Sequence, residues 1–224
     1  MNSDNWYRNV VWNKDIESHF NEKLKRVRLK QDFLRIQASY LTENDPDAAL
    51  SLLEQYFSYG VHFDVARAWY DRAIAYSAIG KTSLALEAFT MALQEEENNP
   101  ALLTQAYLRL PTLVADSELT ASYPLALNVL KRYAPRLASH RDFFEWNAAY
   151  ALILSAKGFE PDATKYALEA IQAKQDHANG LKHHINVGTM REDDRHINIY
   201  NKVSLIAASY KPSLKHRLSR MFSN

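Results

Sequence analysis

The residues best equipped for chemistry gather late in the chain. His177, His183, His184 and His196 lie within 20 residues, beside Glu192, Asp193 and Asp194. Imidazole and carboxylate together can bind zinc or another divalent cation. Their spacing matches no zinc signature: there is no His-Glu-x-x-His helix, and the chain has no cysteine to supply a thiolate. The cluster therefore reads as a charged, solvated connector in which His183 and His184 are polar linker residues, with a metal-dependent enzyme working from residues 177–196 as the alternative. Asp193 and Asp194 suggest acid/base work only if a cleft separates their pKa values, and no such cleft is visible in the sequence.

Gly80-Lys81-Thr82 has the form of the end of a phosphate-binding loop. That loop needs a glycine five residues earlier, where Ala75 stands, and a preceding strand, where residues 66–79 have a helical pattern. The tripeptide is expected to end one helix and begin the next. Glu95-Glu96-Glu97 reads as a solvated helix end, an acidic run in a place the helix dipole disfavours. The expectation is a protein with no catalytic residue, no cofactor and no metal, and so not an enzyme.

The composition says which elements must carry such residues. A chain of 224 residues permits one extended domain or two small ones. Hydrophobic residues at 47% and charged residues at 24% are ordinary for a packed globular protein. Five glycines and seven prolines are too few for the many tight turns of an all-β chain, so long helices are expected. Lys and Arg total 27 against 26 Asp and Glu, and this balance creates no global field for nucleic acid or anionic membrane. The N-terminus lacks a basic stretch followed by an apolar run, and no apolar run approaches ~18 residues. A soluble, cytoplasmic protein is expected.

Along the chain, Ile16, Phe20, Leu24 and Val27 recur at helical spacing, with Asn13 as their N-cap. Trp6 and Trp12 are expected to fold back over this segment. Helical stretches then alternate with short breaks: Asn44-Asp45-Pro46, Ile79-Gly80-Lys81-Thr82, Asn98-Asn99-Pro100 and Lys157-Gly158-Phe159-Glu160-Pro161. Each combines a capping residue, a C-terminal glycine or a first-turn proline. This gives a segment 1–30, a helical array 31–178, a polar linker 179–195 and C-terminal helices 196–224.

Within the array, Trp69, Ala73 and Tyr76 precede Gly80, and Ala85, Phe89 and Ala92 follow it. Small residues let two helices approach and large ones fill the gap between them. This unit, residues 66–100, resembles a tetratricopeptide repeat. It departs from the pattern at Arg72, where leucine is preferred, and in its late closing proline, Pro100. An earlier unit aligns Ala49 with Ala85, 36 residues apart, close to the family's period of ~34. It contains Phe33, Ile36, Tyr40 and Leu53. A later unit carries Ala151, Leu154, Gly158, Ala163, Ala167 and Ala170, and a degenerate one between them is marked by Ala126 and Leu130. Together with Trp6, Trp12 and Phe20 ahead of the repeats, the chain is similar to uncharacterised bacterial members of that family.

The resemblance implies an all-α fold of antiparallel helix hairpins in a right-handed superhelical array of about four units, the third degenerate, with capping helices at both ends. An irregular helical bundle is the alternative, because small and large residues alternate at any tight helix contact. The resemblance also implies a concave groove lined from each unit's first helix, at Arg67, Tyr70, Ile74 and Ser77, with Gln31, Leu34, Ala38 and Leu41 from the preceding unit. Such a surface suits a helix or extended peptide: Tyr70 buries apolar area and Arg67 grips a carboxylate. Ile74 and Ala38 stand where family members that clamp a C-terminal carboxylate use asparagine, so that clamp is not expected. The implied function is a non-catalytic adaptor, scaffold or inhibitor binding a protein or peptide.

After the linker, Ile199, Val203, Ile206 and Ala207 form an apolar stripe. Pro212 opens a second segment with Leu214, Leu218, Met221 and Phe222 on one face and Lys211, Lys215, His216, Arg217 and Arg220 around it. A terminal cap over the last repeat is the preferred reading. The alternative is a basic helix, Lys211, Lys215, Arg217 and Arg220, that binds anionic membrane or nucleic acid.

Overall fold

The computed structural model describes residues 5–60, 62–181 and 194–209, apart from the side chains of 177–181 and 194. They form ten α-helices and no strand. The chain divides into two compact units, Met1–Leu110 and Pro111–Asn224. The division falls inside one helix, α6 (Ala106–Asp116), at Pro111, a residue with no backbone N–H to give to the helix.

The first unit contains α1 (Lys14–Leu24), α2 (Lys30–Leu41), α3 (Pro46–Ser58), α4 (Val65–Ala78) and α5 (Thr82–Asn98). Local chemistry fixes their ends. The Asn13 side chain accepts from the N–H groups of Asp15 and Ile16 at 3.1 and 3.0 Å, and Asp45 accepts from Ala48 N–H ahead of the first-turn Pro46. Gly80 takes φ +70°, a left-handed conformation that closes α4 and frees the chain to begin α5 two residues later.

Helices α2 and α3 pack as one hairpin and α4 and α5 as another, while α4 also packs on α3 and α2. Phe20, Leu34, Ala38, Leu41, Leu53, Tyr56, Ala68 and Ala75 form a shared core. The N-terminal segment lies against it, as its tryptophans imply. Trp6 stacks on Phe33 with centroids 5.0 Å apart, and Trp12 meets Phe20 edge-on at 5.5 Å. Gln37, fully buried, accepts from Asn9 N–H at 3.0 Å and donates to Asn9 O at 2.7 Å. This reciprocal pair satisfies a buried amide and pins the segment to α2.

Between Asn98 and Ala106 the chain does not re-enter a helix at once after Pro100. The buried Glu96 carboxylate instead accepts from Thr104 N–H at 2.9 Å and from the Thr104 hydroxyl, ordering the turn into α6.

The second unit contains α7 (Tyr123–Tyr133), α8 (His140–Ala156), α9 (Glu160–Leu181) and α10 (Asp194–Ser209). Ser139 and Asp142 form a reciprocal capping box at the start of α8. Ala148, Ala151, Ala163, Ala167 and Ala170 are fully buried, so α8 and α9 approach closely. Ala126 and Leu130 of α7 are also fully buried. Helix α10 packs on α8 and α9 through Ile199 and Val203, with Ile206 and Ala207 beside them.

Both ends of the stretch expected as a polar linker, residues 179–195, are helical. Asn179 and Gly180 continue α9 to Leu181, and Asp194 and Arg195 already belong to α10. One glycine in a helix costs roughly 1 kcal/mol against alanine and does not by itself stop it.

Candidate functional site

Helices α2 and α4 carry the residues expected to meet a partner, and the structure separates them into two groups. Arg67 is exposed, with 45% of its side chain accessible. Tyr70 is half-buried and leans on Phe89 at 5.8 Å between centroids. Gln31 and Ser77 are also half-buried, and the Ser77 hydroxyl donates to Ala73 O on its own helix at 2.8 Å.

Leu34 and Ile74 do not line a groove. Leu34 is fully buried and Ile74 is 7% exposed, and Ala38 and Leu41 are fully buried too. The correction has a packing cause. Helix α4 is covered by α2, α3 and α5, and Ala66, Ala68, Asp71, Ala73, Ile74 and Ala75 are all buried on it.

Around Arg67 lies a charge network absent from the sequence reading. Arg67 Nη1 donates to Asp64 Oδ1 at 3.2 Å. The other oxygen of Asp64 lies 3.4 Å from Arg35 Nε, and Arg35 Nη1 reaches Asp71 Oδ2 at 3.4 Å. Asp64, Arg67 and Asp71 follow one another at intervals of three and four residues, so α4 presents them on one face, and α2 brings Arg35 against it. Arg35 Nε is within ion-pair reach of Asp64 but has no aligned hydrogen bond.

Burial dominates the electrostatics here. It pushes the Asp71 carboxyl up from 3.8 to about 7 against the opposing pull of Arg35, with Asp64 adding to the rise and Arg67 lowering it. The fully buried Tyr56 hydroxyl of α3 is raised to about 12, again first by burial and then by Asp64. Tyr56 Oη and His62 Nε2 are buried without a hydrogen-bond partner, and their rings meet at 5.6 Å. Arg35, Tyr56, His62, Asp64, Arg67 and Asp71 thus form one polar cluster joining α2, α3 and α4. Its signal in the sequence was the 36-residue separation of Arg35 and Asp71, the same interval that relates Ala49 to Ala85.

No family model, curated protein or solved structure matches this chain. What the site can do is argued from its own geometry.

The late histidine cluster is described only in part. His183, His184, Glu192, Asp193 and the side chains of His177 and Asp194 lie outside what is described, as does the basic tail with Lys211, Lys215, Arg217 and Arg220. Among the described residues, no three His, Cys, Asp or Glu side chains gather as metal ligands. His196 is not a solvated connector residue. It is 2% exposed on α10, with Nε2 3.0 Å from Glu145 Oε1 of α8, and Glu145 is itself 2% exposed. Nε2 is also 3.3 Å from Arg195 Nη2, so the ring nitrogen meets both Arg195 and Glu145 Oε1. Arg141 Nε donates to the same oxygen at 3.0 Å and Arg195 Nη2 lies 3.6 Å away. The group ties α10 to α8. Gly80-Lys81-Thr82 follows a helix, not a strand, and makes the expected helix break.

Proposed function

We propose that this is a tetratricopeptide-like helix-hairpin protein that binds a protein or peptide on the face where α2 and α4 meet, as a non-catalytic adaptor, scaffold or inhibitor. The hairpins α2/α3 and α4/α5, with α4 packed on both helices of the preceding hairpin, support the repeat reading within the first unit. A cytoplasmic setting belongs to the same proposal. Among the described residues no helix is long and apolar enough to cross a membrane.

The observation that carries the binding reading is the pairing of an exposed, pre-aimed Arg67 with a half-buried Tyr70 on one helix. Asp64 accepts one hydrogen bond from the Arg67 guanidinium and holds it in place, which leaves most of its five N–H donors for a ligand carboxylate or carbonyl. Tyr70 adds apolar area at small entropic cost, because it has only two side-chain torsions. Substituting Arg67→Glu with Tyr70→Ala is expected to abolish partner capture while helicity and melting stay near the parent values. Capture retained by a folded double variant would overturn this assignment.

A further inference from the structure

Arg72 stands where the repeat pattern prefers leucine, and its surroundings explain how a guanidinium is accommodated there. Its guanidinium carbon lies 5.4 Å from the ring centroid of Phe57 on α3, and 5.3 and 5.6 Å from those of Trp69 and Tyr76 on α4. Trp69 is three residues before Arg72 and Tyr76 four after, so one helix face supplies all three groups. Phe57 and Trp69 are themselves in contact at 4.6 Å. The guanidinium lies against these rings, held by cation–π attraction and fixed in rotation by the Nε hydrogen bond to Tyr76 Oη at 3.3 Å.

That bond uses one of five donors. The two terminal nitrogens have no hydrogen-bond or ion-pair partner among the described residues, and neither is sealed from solvent. Arg35 and Arg67 of the same unit, by contrast, both face carboxylates. Glu54, one turn before Phe57 on α3, is exposed and forms no ion pair among the described residues. Asp71, the neighbour in sequence, is engaged with Arg35.

We propose that Arg72, on its floor of Phe57, Trp69 and Tyr76, is a binding site for a single carboxylate of an acidic peptide partner. A planar fork whose Nη1/Nη2 edge is free at both donors matches the two oxygens of a carboxylate, and the rings hold that fork before the ligand arrives. The charge at the site matches as well. Helix α3 contains no Lys or Arg, and α4 contains only Arg67 besides. Arg67 is five residues away, roughly 140° around the helix, and is held by Asp64. One cation suits one carboxylate, whereas a phosphate dianion calls for a second. The α3–α4 connection, which follows directly on the end of α3 that carries Phe57, exposes Tyr59 and Phe63 at 48% and 68%. This face lies across α4 from Arg67 and Tyr70, so the inference stands apart from the groove reading.

The test is a 1H–15N NMR titration of the full chain, following the Arg72 Nε–H and Trp69 indole resonances. The probes are N-acetylphenylalanine, its neutral amide N-acetylphenylalaninamide, and inorganic phosphate. The carboxylate is expected to move both resonances with saturation, and the amide and phosphate to bind at least about tenfold more weakly, the scale set by one charge-assisted hydrogen bond. The exposed Arg28 supplies the control for unspecific attraction. Arg72→Lys keeps the charge but not the fork, and should move the Trp69 response to at least about tenfold higher concentration. Shifts at Arg72 no larger than at Arg28, equal responses to acid and amide, or a preference for phosphate would each overturn the proposal. These comparisons use the parent chain and hold even if the lysine variant does not fold.

Discussion

Replacing Asp71 by asparagine should change how the stability of the first unit depends on pH. Burial raises this carboxyl from 3.8 to about 7 in the folded chain. Between pH ~4 and ~7 the folded state therefore keeps a proton that the unfolded chain has released. When the native state binds more protons, stability falls as pH rises. The contribution is fully present below pH ~4, declines through the interval and is lost once pH passes about 7. At ~1.4 kcal/mol per pH unit, the decline across this window is bounded at about 4 kcal/mol. Arg35, 3.4 Å from Asp71 Oδ2, already acts against the shift. Asp71→Asn removes the titration and also alters the Arg35 contact, which adds an offset independent of pH. The quantity to compare is thus the difference between parent and variant, not either curve alone. Urea unfolding from pH 4.5 to 8.5 in a Trp146→Phe background suits this purpose, since Trp6, Trp12 and Trp69 then all report on the first unit. The parent should lose stability relative to the variant by several kcal/mol as pH rises to about 7, then level off. A constant difference across the range would mean that Asp71 is ionised throughout, with Arg35 outweighing burial, and would refute the reasoning.

Two further substitutions probe the scaffold. His196→Ala removes the α10 partner of a buried carboxylate and leaves a cavity, and should destabilise the second unit by roughly 2–4 kcal/mol; hydrogen exchange should speed up in α10 amides, and an effect below ~0.5 kcal/mol would show that Glu145 is held without it. Gly80→Ala places a Cβ at φ +70° with no atom within 4 Å, so only backbone strain opposes it. It should cost about 1–2 kcal/mol by chemical denaturation, and a neutral result would show that the α4–α5 turn relaxes freely.

The sequence was most informative where structure is decided locally. Asn13, Asp45-Pro46 and Gly80 cap or break helices through groups within a few residues of themselves, and all act where their types imply. The paired alanines of α8 and α9 were legible for a related reason, since their spacing records which face each helix turns to its neighbour. The candidate site was less legible because it depends on which helices cover α4. A repeat register assigns Leu34 and Ile74 to an outward face, but packing from α2, α3 and α5 leaves them no solvent. The Arg35–Asp64–Asp71 network joins residues on two hairpins, so no single helical window contains both Arg35 and its carboxylates. Arg72 shows the opposite failure. Its departure from leucine is plain in the sequence, but its three rings come from two helices, and only their packing explains it.

The central claim, that a partner is recognised at Arg67 and Tyr70, is tested most directly by paired affinity purification from the native host. The parent chain and the Arg67→Glu/Tyr70→Ala variant would be recovered at equal amounts, after circular dichroism and thermal melting establish that both are folded. The account predicts a protein that co-purifies with the parent and is depleted at least about tenfold with the variant, as expected when an aromatic anchor and a charged contact are removed together. Equal recovery of the same proteins by both would contradict it.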